Sequence, residues 1–215
     1  FAGDIIGGYE TPYQMYDWLN SGGRDALNNL YNKYGMQFVG WWIPGMESLI
    51  SSKPLPNIAA LKNFKFRSPP GMETEIFAAL GAKPIVMDFG EVPTALQTGI
   101  IDGADFSNLA NNVASGLYDT NPHATYPGYH SMPADHLACN QAMWNKLSKK
   151  NQDAIFKAMD KAGKSVTKYV EDKNVEAVKE MKAKNVTLHD LSKADRLTFR
   201  QAAQKSWAEW SKKTP

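Results

Sequence analysis

The 215-residue chain carries 24 basic and 22 acidic side chains, a net charge of +2, with 43% hydrophobic and 21% charged residues. This is the makeup of an ordinary globular protein with mass for one large domain or two small ones, and its scattered charge excludes nucleic acid as the main partner, which would need a clustered basic face. A single cysteine, Cys139, excludes an internal disulfide and a cysteine-rich zinc site, and no apolar run approaches the ~20 residues that span a bilayer.

Residues 1–8 hold a brief apolar run ending in two glycines, which reads as a strand and turn. Thr11-Pro12 then supplies a cap and a first helical residue for a helix carrying Tyr13, Tyr16 and Leu19, which Gly22-Gly23 is expected to stop. A second helix, 25–34, presents Leu27, Leu30, Tyr31 and Tyr34 on one face and ends at Gly35. The aromatic and β-branched run 36–43, containing Trp41 and Trp42, reads as a buried strand broken by Pro44-Gly45, which leaves Met46 and Glu47 on a loop at its end.

After a short helical turn over 57–62 comes the most informative stretch, Lys65 to Asp105. It reads as a strand KFRS, a helix 73–80 closed by Gly81, a strand PIVMD, a helix 91–98 closed by Gly99, and a third apolar run, IID. That βαβαβ order makes the strands parallel, with their carboxyl ends opening on one crevice. Arg67 stands at such an end, where a guanidinium fork matches a carboxylate or phosphate; pairing with an internal acid is the alternative. Asp105 is read as a site carboxylate or as the cap of a helix over 107–115.

Residues 116–135, rich in Gly, Pro, Tyr and His, read as a crossing between lobes. His130 and His136 are six apart, which suits no zinc helix motif, so both are read as structural or hydrogen-bonding residues. A strand follows at 136–140, then apolar residues at helical spacing from Lys150 to Lys184. That helix, ~51 Å long at 1.5 Å per residue, is longer than one small lobe. A short strand 186–189 and a helix 192–210 capped by Ser192 close the chain. The Lys-rich segments 146–150 and 179–184 read as solvated helix faces.

The block around Arg67, the run LGAKPIVMDFGEVPTALQTGIIDGAD, and His136-Leu-Ala-Cys-Asn140 with Trp144 resemble the DctP-like periplasmic solute-binding subunits of tripartite ATP-independent (TRAP) transporters. The resemblance covers nearly the whole chain from Gly22-Gly23 onward. The family's opening strands and helices and its secretion signal have no counterpart before Phe1, so the resemblance implies that the N-terminal part of the first lobe is missing.

The likeness implies an α/β, two-lobed, periplasmic binding protein-like fold with parallel or mixed sheets and one long lobe-spanning helix. Residues 1–36 would be the remainder of the first lobe and a crossing, 37–104 the βαβαβ core of the second, 105–135 a return to the first or crossing, and 136–215 the second-lobe strand, spanning helix and final helix. It further implies a periplasmic receptor, monomeric or homodimeric, that is not an enzyme. It would close on a small organic acid, a 2-oxo or 2-hydroxy monocarboxylate, and deliver it to the TRAP membrane subunits.

Arg67 would clamp the carboxylate, with Phe106, Trp41, Trp42 and Tyr129 as walls and Glu47 and Asp105 reaching polar groups of the ligand. No cofactor is required. In metal-using relatives an acid followed by an aromatic supplies a carboxylate and a carbonyl, so Asp105, Phe106 and Glu47 would hold a bridging Na⁺ or Ca²⁺. Phe106 departs from the asparagine of other relatives, and the acid those metal users carry near Ser131 or Met132 is absent. The alternative from another class is an α/β lyase or hydrolase acting on a small carboxylate, though no nucleophile elbow, phosphate loop or dinucleotide fingerprint is present.

Overall fold

The structure, a computed structural model, describes residues 3–213. In chain order its elements are α1 (Pro12–Trp18), α2 (Arg24–Asn32), β1 (Met36–Trp42), β2 (Glu47–Ser51), β3 (Lys65–Ser68), α3 (Met72–Ala79), β4 (Lys83–Val86), α4 (Val92–Gln97) and β5 (Gly103–Asn108). Then come α5 (Leu109–Ala114), β6 (His123–Thr125), β7 (Asp135–Asn140), α6 (Gln141–Trp144), α7 (Lys149–Ala183), β8 (Thr187–His189) and α8 (Lys193–Lys213). Among the described residues no helix is long and apolar enough to cross a membrane.

The chain divides into two compact units. The first takes the residues through Ile5, Tyr9–Gly45 and Met132–Asp172; the second takes Ile6–Gly8, Met46–Ser131 and the chain from Lys173 on. The units and the sequence-based segments therefore part at different places. Residues 105–131 belong with the parallel core because β5 and β6 pair with β2, and β7 goes to the first unit because it pairs with β1. Helix α7 contributes residues to both units.

In the first unit, α1 starts as its sequence dictates: Gln14 N donates to Thr11 Oγ1 at 3.4 Å, Gln14 Oε1 accepts from Thr11 N at 3.2 Å, and Pro12 sits in the first turn. Gly22-Gly23 does not stop the helix. A π-type turn over Leu19–Gly23 carries the chain directly into α2, with Gly22 at φ +109°, where a side chain would be strained. β1 and β7 form an antiparallel pair. Val39, Trp144 and Met159 form a small core beside it.

In the second unit, the sheet order is β4-β3-β5-β2-β6-β8. β3 runs parallel to β4 and β5, as the βαβαβ reading requires, but β5 begins at Gly103 rather than at Ile100. Ile101 is buried in the apolar core, Asp102 N already donates to Lys65 O at 2.6 Å while its carboxylate accepts from Lys65 N at 3.0 Å and meets Lys53 Nζ at 2.8 Å, and the paired register opens at Phe66–Gly103. At Gly103 a Cβ would lie 2.4 Å from Ile50 O, so this close approach of two strands requires glycine. β2 and β6 are additional strands, lying where a loop and a crossing are expected from sequence.

Two cores hold this sheet. Leu49, Phe66, Phe77, Tyr129 and Phe199 belong to one, and Ile50, Val92, Ile101, Ala104 and Met181 to the other. Phe77 is the hub of the first, with ring centroids 4.5 Å from Phe66 and 5.4 Å from Phe199. Burying such rings contributes about 1.5–3 kcal/mol each from area alone.

Candidate functional site

The carboxyl ends of β3 and β4 and the middle of β5 bring together the polar residues of the second unit. The handover from β3 to α3 is fixed by Ser68 Oγ, 2.6 Å from Thr74 Oγ1, whose hydroxyl donates to Pro69 O at 2.8 Å. Arg67 immediately precedes this turn and is only 4% exposed. Its Nε donates to Met87 O at 3.2 Å and its Nη1 to Asp105 O at 2.8 Å. The fork is thus not wholly open, since two of its donors hold main-chain carbonyls, one within β5 and one just past the end of β4. It is also ion-paired, at long range, with an acid of its own chain, the alternative open from sequence: the buried Asp105 carboxylate stands 3.9 Å from Nη1. Nη2 makes no hydrogen bond to any described residue.

Phe89 covers this guanidinium, its ring centroid 4.2 Å from the Arg67 Cζ, while remaining 54% exposed. It sits in a single turn after β4 that Glu91 closes by accepting from Asp88 N at 3.2 Å. Phe106 meets Phe89 edge-on, with centroids 5.1 Å apart. No sequence argument singled out Phe89; only the fold sets it over Arg67.

Asp105 is neither a turn nor a helix cap. It lies within β5, and the cap of α5 is Asn108, whose Oδ1 accepts from Asn111 N at 3.1 Å. Between the pairs Ser48–Ser107 and Ile50–Ala104, β2 advances two residues and β5 three, so Asp105 and Phe106 together oppose Leu49. This is a β-bulge, the device by which a strand re-aims side chains. Here Asp105 reaches His130 and Phe106 reaches Phe89.

His130 Nε2 is 3.1 Å from Asp105 Oδ1, and both residues are buried. Nδ1 of the same imidazole is sealed from solvent with no hydrogen-bond partner among the described residues. Glu47, half-buried, is the first residue of β2 rather than a loop residue, and its N–H donates to Ser131 O at 2.9 Å. That bond fixes the 128–131 segment against β2, aided by Gly128, where a Cβ would fall 1.8 Å from Glu47 O. Ligand atoms of Glu47, Asp105 and His130 consequently lie within 4.8 Å of one another. His130 hydrogen-bonds, one of the two roles read for it from sequence, but its grouping with Glu47 and Asp105 was not legible: these partners are 25 and 83 positions away, so no local spacing marks them.

The remaining expected wall residues have these surroundings within their own units. Tyr129 is 6% exposed in the core, its ring 5.0 Å from Phe199, and burial raises the pKa of its phenol. Trp41 and Trp42 belong to the first unit. There Trp41 is 2% exposed and stacks on Trp18 at 5.8 Å, and Trp42 packs on the core formed by Val39, Trp144 and Met159.

The family profile described as "Bacterial extracellular solute-binding protein, family 7" matches residues 11–213. The chain belongs to that family. Among curated proteins, this family 7 chain is 29% identical over 191 residues to the sialic acid-binding periplasmic protein SiaP of Vibrio cholerae, covering 87% of this chain and 57% of that protein. It is 27% identical over 204 residues to a monocarboxylate 2-oxoacid-binding periplasmic protein of Nostoc, covering 89% and 52%. Among solved structures, a TRAP periplasmic solute-binding protein of Rhodobacter sphaeroides in an apo open state superposes with a TM-score of 0.84 at 36% identity, covering 97% of this chain and 67% of that one.

The family 7 chain thus spans just over half the length of these curated relatives. The mixed α/β fold expected from sequence is the fold of that structure, over the part the chain covers. By their names these relatives are binding proteins and not enzymes, so the lyase or hydrolase alternative finds no support among them.

Proposed function

We propose that the protein carrying this chain is an extracytoplasmic receptor of a TRAP transporter. It binds a small organic carboxylate, a 2-oxo or 2-hydroxy monocarboxylate, and hands it to the membrane subunits in the periplasm. The observation that carries this reading is the Arg67 guanidinium: it is buried, oriented by two carbonyls, covered by Phe89, and its Nη2 has no hydrogen-bond partner among the described residues. A guanidinium held this way is pre-organised, so it loses little rotamer freedom when it donates to a carboxylate. The Nostoc relative named for 2-oxoacids supports the ligand class.

The charge balance favours a cation beside it. A ligand carboxylate at Arg67 would enter the field of Asp105 and Glu47, two acids against one guanidinium. Burying a further anion there costs several kcal/mol unless it is offset. Glu47, Asp105 and His130 fit a cation by donor type and mutual distance, and the imidazole tilts the set from the all-oxygen shell expected for Na⁺ or Ca²⁺ toward a softer divalent ion. Such a cation would neutralise the acids and give a 2-oxo or 2-hydroxy group a second point of attachment.

Isothermal titration of the complete protein with 2-oxo and 2-hydroxy acids, with and without chelator in sodium-free buffer, tests both parts. Binding that weakens at least tenfold in chelator is the expected result. Unchanged affinity removes the cation, absence of binding to the whole series removes the ligand class, and turnover of any of these acids removes the receptor reading.

A further inference from the structure

At the far edge of the six-stranded sheet, away from the β3–β4 edge, two histidines meet. His123 lies on β6 and His189 on β8, with His123 Nδ1 3.2 Å from His189 Nε2 and ring centroids 5.2 Å apart. The strands are parallel with His123 opposite Thr187 and Thr125 opposite His189, so alternation puts both imidazoles on one face as diagonal neighbours. Ala124 and Leu188 join the core from the other face. Both rings are half-buried, and neither outer nitrogen hydrogen-bonds a described residue.

A contact between two imidazoles at this distance is either an N–H···N hydrogen bond or two lone pairs turned to one centre. Burial lowers the pKa of both rings, which favours their neutral, lone-pair-bearing forms. Two nitrogens bound at about 2.0–2.1 Å to one tetrahedral cation lie roughly 3.3 Å apart, close to the separation seen here. If the donor ring shifts its N–H to the outer nitrogen, a change of tautomer that releases no proton, both inner nitrogens become lone-pair donors.

We propose that His123 and His189 form a binding site for a borderline divalent transition cation of the zinc class, with water completing its shell. Imidazole suits such ions and not Na⁺ or Ca²⁺. The cation joins β6 to β8, the short strand that links α7 to α8, and so pins the sheet edge. This site is separate from the Arg67 region and does not depend on the ligand reading given above.

Zinc titration of the complete protein tests it, read by calorimetry, by thermal unfolding, and by imidazole resonances in NMR spectra. A variant with Glu47→Gln and Asp105→Asn removes zinc uptake at the other cluster. In that background one equivalent of zinc is expected to bind, to raise the unfolding temperature, and to shift the His123 and His189 resonances. His123→Gln or His189→Gln, added singly, is expected to weaken the binding at least tenfold and abolish the thermal shift. The NMR reading needs no histidine variant, so a misfolded variant does not decide the matter. Zinc uptake unchanged by both histidine variants, or zinc that leaves both resonances unmoved, overturns the proposal.

Discussion

His130 Nε2 lies 3.1 Å from Asp105 Oδ1 inside the second unit, joining a bulged strand to the segment that Gly128 allows to run against β2. Each partner is set by a different backbone device, and the contact exists only when both are in place. Asp105→Asn keeps the shape but removes the charge, so the fold is retained while the paired acids lose one member. Cation uptake at this cluster is expected to fall at least tenfold, as measured by calorimetry. Uptake equal to wild type would remove Asp105 from the cation set.

Gly128→Ala tests the backbone device. The added Cβ would meet the main-chain carbonyl of Glu47, which cannot swing aside as a side chain can. Overpacking of this kind costs about 1–3 kcal/mol. A lower denaturant midpoint is expected, together with weaker ligand binding, because Glu47 and His130 move apart.

Phe77→Ala removes the ring that touches Phe66 and Phe199 and stands edge-on to His130 at 5.8 Å. Phe77 is fully buried, and large-to-small changes at such sites cost about 3–5 kcal/mol. Chemical unfolding should show that loss. A change below about 1 kcal/mol would mean that the core collapses to fill the space.

Stability should fall on mild acidification, and His136 in the first unit is one cause. Burial depresses its pKa below the ordinary value, with Asp135 opposing, while Tyr31 OH sits 2.5 Å from its Nδ1. The unfolded chain therefore binds more protons than the folded one once the pH drops below about 6.5. Its contribution is complete above that pH and is lost progressively below it. Unfolding midpoints at pH 7.5 and 5.0 measure the fall, and His136→Gln should make it shallower.

Much of the second unit was legible because local signals agreed. Gly81 and Gly99, both at positive φ, close α3 and α4 where helical spacing ends, and the three strands they separate are parallel as the order demands. β2 and β6 were not legible, because they are short and their pairing is long-range: Ile50 faces Ala104 on one side and Ala124 on the other. The bulge at Asp105-Phe106 is a mismatch between two strands, which neither strand carries alone. For the same reason Arg67 could be placed at a strand end, while the two carbonyls it holds and the ring that covers it belonged to tertiary structure. Gly22-Gly23 failed in the other direction, for a π-type turn absorbs glycines that usually end a helix.

The claim on which the receptor reading rests is that Arg67 uses its remaining donors on the carboxylate of the ligand. Calorimetric titration of the complete protein with the tightest-binding 2-oxo or 2-hydroxy acid, wild type against Arg67→Ala and Arg67→Lys, addresses it directly. Losing a charge-assisted hydrogen bond of about 1.5–3 kcal/mol predicts a drop of roughly 10- to 150-fold in affinity for both variants, with lysine unable to restore the planar fork. Equal affinity in a folded Arg67→Ala protein would contradict the account and leave this arginine a strap between strands.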